Sequence, residues 1–248
     1  MAKKKKRIPK EDRLIELEVQ KAAQAYLEHY YKTQKRPKEL YSNLEERTKH
    51  KYGMKRADGL LAYPMSKTKA YVVSMEAKSH KTLKALKPYR IDKLWVKDSL
   101  WHGLLFTILS GVMFFVWRMT EESFWIRFMI PLGVFLGASA LYAYIFRNSH
   151  KYQEMKVIHQ VFQYPANEQW LSLSNDSFEM IDFRLQDNLI KICKARGVGI
   201  LMVDPKKNVA MVHAPKIRPK RWFGDYLHFY HAEEAIRKQL GLKIPTKK

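Results

Sequence analysis

The spacing of apolar residues changes several times along the chain. From 11 to about 31, Leu14, Leu17, Ala22, Ala25 and Leu27 recur near a 3.6-residue period among Glu11, Glu16, Glu18 and Glu28, which predicts an amphipathic helix. Arg36-Pro37 ends it, and a polar stretch with room for a short helix leads to Lys51-Tyr52-Gly53. The period then drops to two. Residues 57–63 read as a strand, 64–69 as its turn and 70–78 as the returning strand. On that second strand Val72, Ser74, Glu76 and Lys78 share one face, and Val73, Met75 and Ala77 line the other.

Two long apolar runs follow a basic segment that carries Lys81, Lys84, Lys87, Arg90, Lys93 and Lys97. Residues 100–117 contain no formal charge and, as a helix rising ~1.5 Å per residue, would extend about 27 Å, close to the hydrocarbon thickness of a bilayer. Residues 128–146 form a second uncharged run that includes Pro131, Gly133, Gly137, Ala138, Ser139 and Ala140, all tolerated where membrane helices approach closely. Trp101, Trp117, Trp125, Tyr142 and Tyr144 lie toward the ends, where amphipathic rings favour the interface. The linker 118–127 holds two arginines with Glu121 and Glu122, while Lys93, Lys97, Arg147, Lys151 and Lys156 flank the pair. Basic flanks stay cytoplasmic, so a transmembrane hairpin with both soluble segments on the cytoplasmic side is expected.

Beyond the hairpin a soluble pattern resumes. Residues 150–164 read as a helix with Val157, Ile158, Val161 and Phe162 on one stripe, and 169–173 as a short strand. A helix is expected over 183–195, closed by Gly197, with Cys193 among its core positions. A buried strand over 198–203, a turn at 204–208 and a strand over 209–213 complete the pattern. Helices interleaved with strands in this order predict an α/β fold with a mixed sheet.

Charge narrows the choice of partner. The 248 residues carry 46 Lys+Arg against 24 Asp+Glu, a formal net charge of +22. That excess calls for a polyanion: nucleic acid, an anionic membrane surface, or both. The single cysteine excludes an intramolecular disulfide and a cysteine-based zinc site. The first ten residues hold Lys3, Lys4, Lys5, Lys6, Arg7 and Lys10 with no apolar stretch after them, which reads as a solvated basic tail. Near the other end, Lys216, Arg218, Lys220, Arg221, Trp222 and Phe223 mix cations with rings, a combination that suits single-stranded nucleic acid or lipid headgroups equally. His228 and His231 lack a third ligand at a recognised spacing and read as ordinary polar positions.

The chemistry concentrates at the end of the 70–78 strand. Glu76 and Lys78 project side by side, and Asp58 in Ala-Asp-Gly lies just upstream on the partner strand. Two carboxylates can hold a divalent cation, and an ammonium beside them can position water or offset charge building on phosphate. Asp58, Glu76 and Lys78 are therefore the expected catalytic set for phosphodiester hydrolysis.

An Asp at a strand start followed by acid-x-Lys on the next strand resembles the PD-(D/E)XK nuclease superfamily, with Ala57 in place of the proline of the name. The resemblance covers roughly 11–98 and 147–215 and leaves the hairpin unexplained. It implies a restriction-endonuclease-like mixed sheet flanked by helices, in which Asp58, Glu76 and the carbonyl of Ala77 bind Mg²⁺ (or Mn²⁺) and Lys78 aligns the attacking water. It also implies an added Glu from the first helix, for which Glu16 and Glu18 are candidates, and a Gln from the helix after the acid-x-Lys strand, either Gln160 or Gln163.

The expected organisation is a basic tail (1–10), the first part of a nuclease-like domain (11–98), the transmembrane hairpin (99–146), the second part of the domain (147–215) and a basic aromatic C-terminal extension (216–248). The expected protein is a membrane-anchored, metal-dependent nuclease acting on DNA or RNA. The alternative is a noncatalytic membrane protein that uses the same domain to bind nucleic acid, anionic lipid or a protein partner.

Overall fold

Each strand of the main sheet is placed by the alternation of its apolar residues, and the helices by the faces that alternation leaves to cover. In a computed structural model, which describes residues 13–86, 88–116, 124–218 and 224–243, the chain divides into two units. Met1–Lys87 and Met155–Lys248 make the first, and Pro88–Glu154 the second. The chain opens with helix α1 (Glu16–Lys35) and strands β1 (Tyr41–Leu44), β2 (Gly59–Pro64) and β3 (Ala70–Lys78). Strand β4 (Pro88–Arg90), helices α2 (Asp92–Val116) and α3 (Phe124–Ile145) and strand β5 (Gln153–Met155) follow. The remainder is α4 (Lys156–Phe162), β6 (Glu168–Ser174), α5 (Asn175–Met180), α6 (Phe183–Arg196), β7 (Gly199–Val203), β8 (Val209–His213) and α7 (Glu233–Gln239).

In the first unit the six-stranded order is β1-β2-β3-β6-β7-β8. The first three strands form an antiparallel meander, β3, β6 and β7 run parallel, and β8 returns antiparallel. The fold is thus α/β with a mixed sheet flanked by helices. Val19, Ala23, Leu27 and Tyr31 form a four-residue stripe on α1 that packs over Val73, Met75, Trp170 and Leu201. On the opposite face α4 and α6 bury Ile158, Val161, Leu189 and Ile192 against Leu171, Leu173 and Ile200. The rest of that face, Leu60, Ala62 and Val72, is covered by Leu227, Tyr230, Ile236 and Leu240 from beyond β8. The described part of the expected C-terminal extension (216–248) therefore contributes core.

Buried polar groups fix the register of these layers. Glu168 accepts hydrogen bonds from the hydroxyls of Tyr31 and Tyr71, the latter at 2.7 Å, and Trp170 Nε1 donates to Tyr31 at 3.0 Å. Gln24 Nε2 reaches from α1 to Ser42 Oγ (2.9 Å) and the Leu60 carbonyl (3.2 Å). Gly59 makes that reach possible, because a Cβ there would lie 2.2 Å from Gln24 Oε1.

In the second unit α2 and α3 pack against each other. A Cβ on Gly103 would lie 2.0 Å from Ser139 Oγ, so the glycine permits the close crossing. Trp95 Nε1 donates to the Ala143 carbonyl at 3.1 Å. Among the described residues, no helix is long and apolar enough to cross a membrane. The expected two-helix transmembrane hairpin is therefore a helical hairpin here, without structural support for its crossing.

Other boundaries also moved. The polar stretch before Gly53 holds an edge strand, β1, as well as a 3-10 turn at His50–Tyr52. The helix expected over 150–164 is a 3-10 turn at His150–Tyr152, then β5, then the shorter α4. The basic tail (1–10), Glu11, most of the expected 118–127 loop and Lys220 to Phe223 lie outside the described residues.

Candidate active site

β2 starts at Gly59, opposite Met75, while β3 continues to Lys78. The last residues of β3 thus have no strand partner on their β2 flank. Asp58, one residue before β2, fills part of that flank: its Oδ2 accepts a hydrogen bond from the Ala77 N–H at 2.8 Å. A strand residue directs its N–H and C=O toward the same edge, so the Ala77 carbonyl faces the same flank as Asp58.

Glu76 and Lys78 project on one face of β3, and Lys78 Nζ donates to Glu76 Oε1 at 2.6 Å. Lys78 also lies 3.5 Å from Glu16 Oε1, which reaches in from the first turn of α1. Asp58, Glu76 and Lys78 are 6%, 4% and 5% exposed, so this cluster of charges sits out of water. Glu76 Oε2 is buried and has no hydrogen-bond partner.

The electrostatics follow from burial. Desolvation lifts the Glu76 carboxyl to about 7, with the Asp58 charge adding to the rise and Lys78 opposing it. Desolvation also raises Asp58, although the Ala77 N–H bond and Lys78 pull it back. Burial pulls Lys78 down, but Glu76, Glu16 and Asp58 outweigh it and hold the ammonium above its ordinary value. The cation therefore stays charged while the two carboxylates compete for too little positive charge.

Of the secondary candidates, Glu16 joins the site and Glu18 does not. Two residues apart on a helix lie about 200° apart around its axis, so one of the two must turn away. Glu18 accepts from the Ile15 N–H at 3.2 Å and pairs with Lys207 at 3.2 Å. That backbone bond and Lys207 hold its carboxyl below the usual range. Gln160 and Gln163 are not hydrogen-bonded to either carboxylate among the described residues, and the Gln160 Oε1 is buried without a partner. α4 packs on β3, and Gln163 caps it. His228 lies 3.7 Å from Glu233, and no group of three metal-ligating side chains gathers among the described residues.

One residue of the site escaped the sequence reading. Tyr164 follows α4, and its carbonyl accepts from Ser74 Oγ at 3.0 Å, which ties it to the face of β3 that carries Glu76. Burial first, and then the charges of Glu76 and Asp58, push its phenol above the ordinary range. In the sequence Tyr164 reads only as a helix terminus, and no local signal links it to Glu76.

The side chains expected to hold a divalent ion offer oxygen only, the donor type such an ion takes; Asp58 lies near enough to Glu76 for its charge to act on it, and Glu76 Oε2 is buried and unpartnered. Comparison with protein-family models, with characterised proteins and with solved structures finds no match for this chain.

Proposed function

We propose that the chain is a divalent-metal-dependent nuclease that hydrolyses phosphodiester bonds of nucleic acid, and that its helical hairpin attaches it to a membrane with the first unit on the cytoplasmic side. The observation that carries the catalytic reading is the buried pair Asp58 and Glu76, with an unpartnered Glu76 oxygen, beside a charged lysine. Asp58, Glu76 and the Ala77 carbonyl would hold Mg²⁺ or Mn²⁺. Such an ion supplies Lewis acidity toward a phosphoryl oxygen and lowers the pKa of bound water. Lys78 cannot serve as a base, because the surrounding carboxylates keep its proton on. Its role is to orient water and to offset the negative charge that gathers on the phosphate, with Glu76 and Glu16 fixing its position. Burial and the nearby charges of Glu76 and Asp58 keep the Tyr164 phenol protonated. The +22 charge supplies the salt-dependent grip on a phosphate backbone.

The membrane reading rests on the hairpin's surface. Trp101, Phe106, Leu109 and Leu141 are each about 60% exposed, so both helices present large apolar groups outward. Lys93, Lys97, Arg147 and Lys151 flank them, which fits a cytoplasmic headgroup layer.

The absence of a third ligating side chain among the described residues favours a second reading, a noncatalytic module that binds nucleic acid, lipid or protein. Metal titration by calorimetry on the full chain separates the two. The nuclease reading expects Mn²⁺ or Mg²⁺ binding that Glu76→Ala weakens, and metal-dependent cleavage that Asp58→Ala, Glu76→Ala and Lys78→Ala each abolish. Wild-type protein that binds no divalent ion at millimolar concentration would leave only the second reading.

A further inference from the structure

A groove of about 790 Å³ runs along α2 in the second unit. Val96, Leu100 and Leu104, spaced one helical turn apart, form its wall with Phe135 of α3. From its first lining residue to Leu104 it follows α2 for about 18 Å, at ~1.5 Å per residue. Lys93 and Lys97 stand at one end of this hydrocarbon channel. Both are exposed, and neither has an ion-pair or hydrogen-bond partner among the described residues. Asp92, which also lines that end, sits in the first turn of α2, where a carboxylate complements the helix N-terminus.

We propose that this groove holds one anionic phospholipid, with an acyl chain along Val96, Leu100, Leu104 and Phe135 and the headgroup phosphate between Lys93 and Lys97. The inference rests on the membrane reading above, though it needs only that the hairpin touches a bilayer. Three features select this occupant. Beyond Lys97 the channel is lined by Leu100, Trp101, Leu104 and Phe135, so that part offers little hydrogen bonding to a peptide backbone. The cations lie in the half of the groove nearest the start of α2, on either side of Val96, and none lies beyond Lys97, which matches a molecule with one charged head and a long tail. Trp101 beside the channel is 61% exposed, as suits a ring at the headgroup level. A free phosphate would need only the lysines and would leave the apolar wall uncovered.

The test uses the full chain reconstituted in phosphatidylcholine bilayers. These are doped with either phosphatidylglycerol or phosphatidylcholine brominated on its acyl chains, and quenching of tryptophan emission is followed. Brominated phosphatidylglycerol is expected to quench at a lower mole fraction than brominated phosphatidylcholine. Each lysine at an anionic surface contributes roughly fivefold in affinity, so the two together give on the order of 25-fold. Lys93→Gln with Lys97→Gln should bring the two lipids close to parity, and Trp101→Phe should reduce the differential signal, the other tryptophans of the hairpin carrying the remainder. Both lysines are exposed and unpaired, so folding is unaffected by their replacement. Equal quenching by the two lipids, or a preference that survives the double substitution, overturns the proposal while leaving the membrane reading intact. A phosphate-only site would show as displacement of the preference by millimolar inorganic phosphate, which also overturns it. A chain that floats with neither vesicle sinks the membrane reading itself, and the groove proposal with it.

Discussion

Without divalent ions, raising the pH from about 5 to about 8 is expected to destabilise the protein, and Glu76→Gln is expected to remove that loss. Burial and the Asp58 charge raise Glu76 from 4.5 to about 7 in the folded state. Between those values the folded protein holds a proton that the unfolded chain has released. Stability is therefore greatest below the unfolded pKa and falls as pH rises through the folded one. A rise of that size at ~1.4 kcal/mol per pKa unit corresponds to on the order of 3 kcal/mol. Near-complete burial means that solvent screening does little to reduce the figure. Asp58, raised by burial, acts in the same direction at lower pH. Lys78 is raised as well, so the stability it adds is fully present below its ordinary value and is lost only in the alkaline range, outside this window.

The assay is denaturant unfolding of the full chain in nonionic detergent with a chelator, repeated with Mg²⁺. A bound cation competes with the Glu76 proton, so Mg²⁺ should stabilise more at pH 8 than at pH 5. Gln keeps the side-chain shape and an acceptor for Lys78 but cannot ionise, and the variant's stability should stay level across the same range. Wild-type stability that is flat or rises with pH, or an unchanged slope in Glu76→Gln, would refute the assignment of the strained charge to this pair.

Three further outcomes follow from packing. Gly59→Ala places a Cβ 2.2 Å from Gln24 Oε1 and 2.8 Å from Met75 Cε, and is expected to cost about 1–3 kcal/mol in denaturant unfolding; a neutral result would mean that Gln24 is free to move. Arg237 is bonded to Asp225 at 2.6 Å, Glu233 at 3.0 Å and the Thr68 carbonyl at 3.1 Å. Arg237→Met leaves the buried Asp225 carboxylate with only the Ala70 N–H, while Glu233 keeps Lys49, and should cost about 3–5 kcal/mol, read from the denaturant midpoint, with early proteolysis beyond residue 224. Burial pushes the Cys193 thiol up to about 12, so thiol reagents should label it only after unfolding; rapid labelling of native protein would contradict its place in the α6 core.

The parts of the fold that were legible are those in which side chains had one option. Residues 70–78 and 209–213 were expected as strands and are strands over those residues, and β7 starts one residue later than expected. Their apolar positions can be buried only on a sheet. β1 was not legible, because Tyr-Ser-Asn-Leu offers little apolar surface and is held by pairing with β2 and by Gln24 from α1. α7 was missed for a related reason: its seven residues owe their place to Ile236 in the core and to the Arg237 cluster, and both depend on distant β2 and β3. That strands from both sides of the inserted unit share one sheet follows from the two-part domain expected from the sequence, whereas their order, with β6 beside β3, has no local trace.

The candidate site divides along the same line. Glu76 and Lys78 share a face because strand side chains alternate, which any reader of 70–78 can derive. The meeting of Asp58 with Ala77 is a different kind of fact, since it requires β2 to begin at Gly59 while β3 runs on. The backbone groups of β3 past Met75 must then find partners other than a strand. Asp58 takes the N–H of Ala77, and the carbonyl of the same residue points to the same unpaired flank. A sheet that paired fully along β3 would have had no such carbonyl to offer and no room for Glu16 to approach Lys78. The charge cluster is thus a consequence of unequal strand lengths: the defect in the ladder frees the Ala77 N–H that Asp58 takes and leaves the end of β3, with Glu76 and Lys78, open to Glu16.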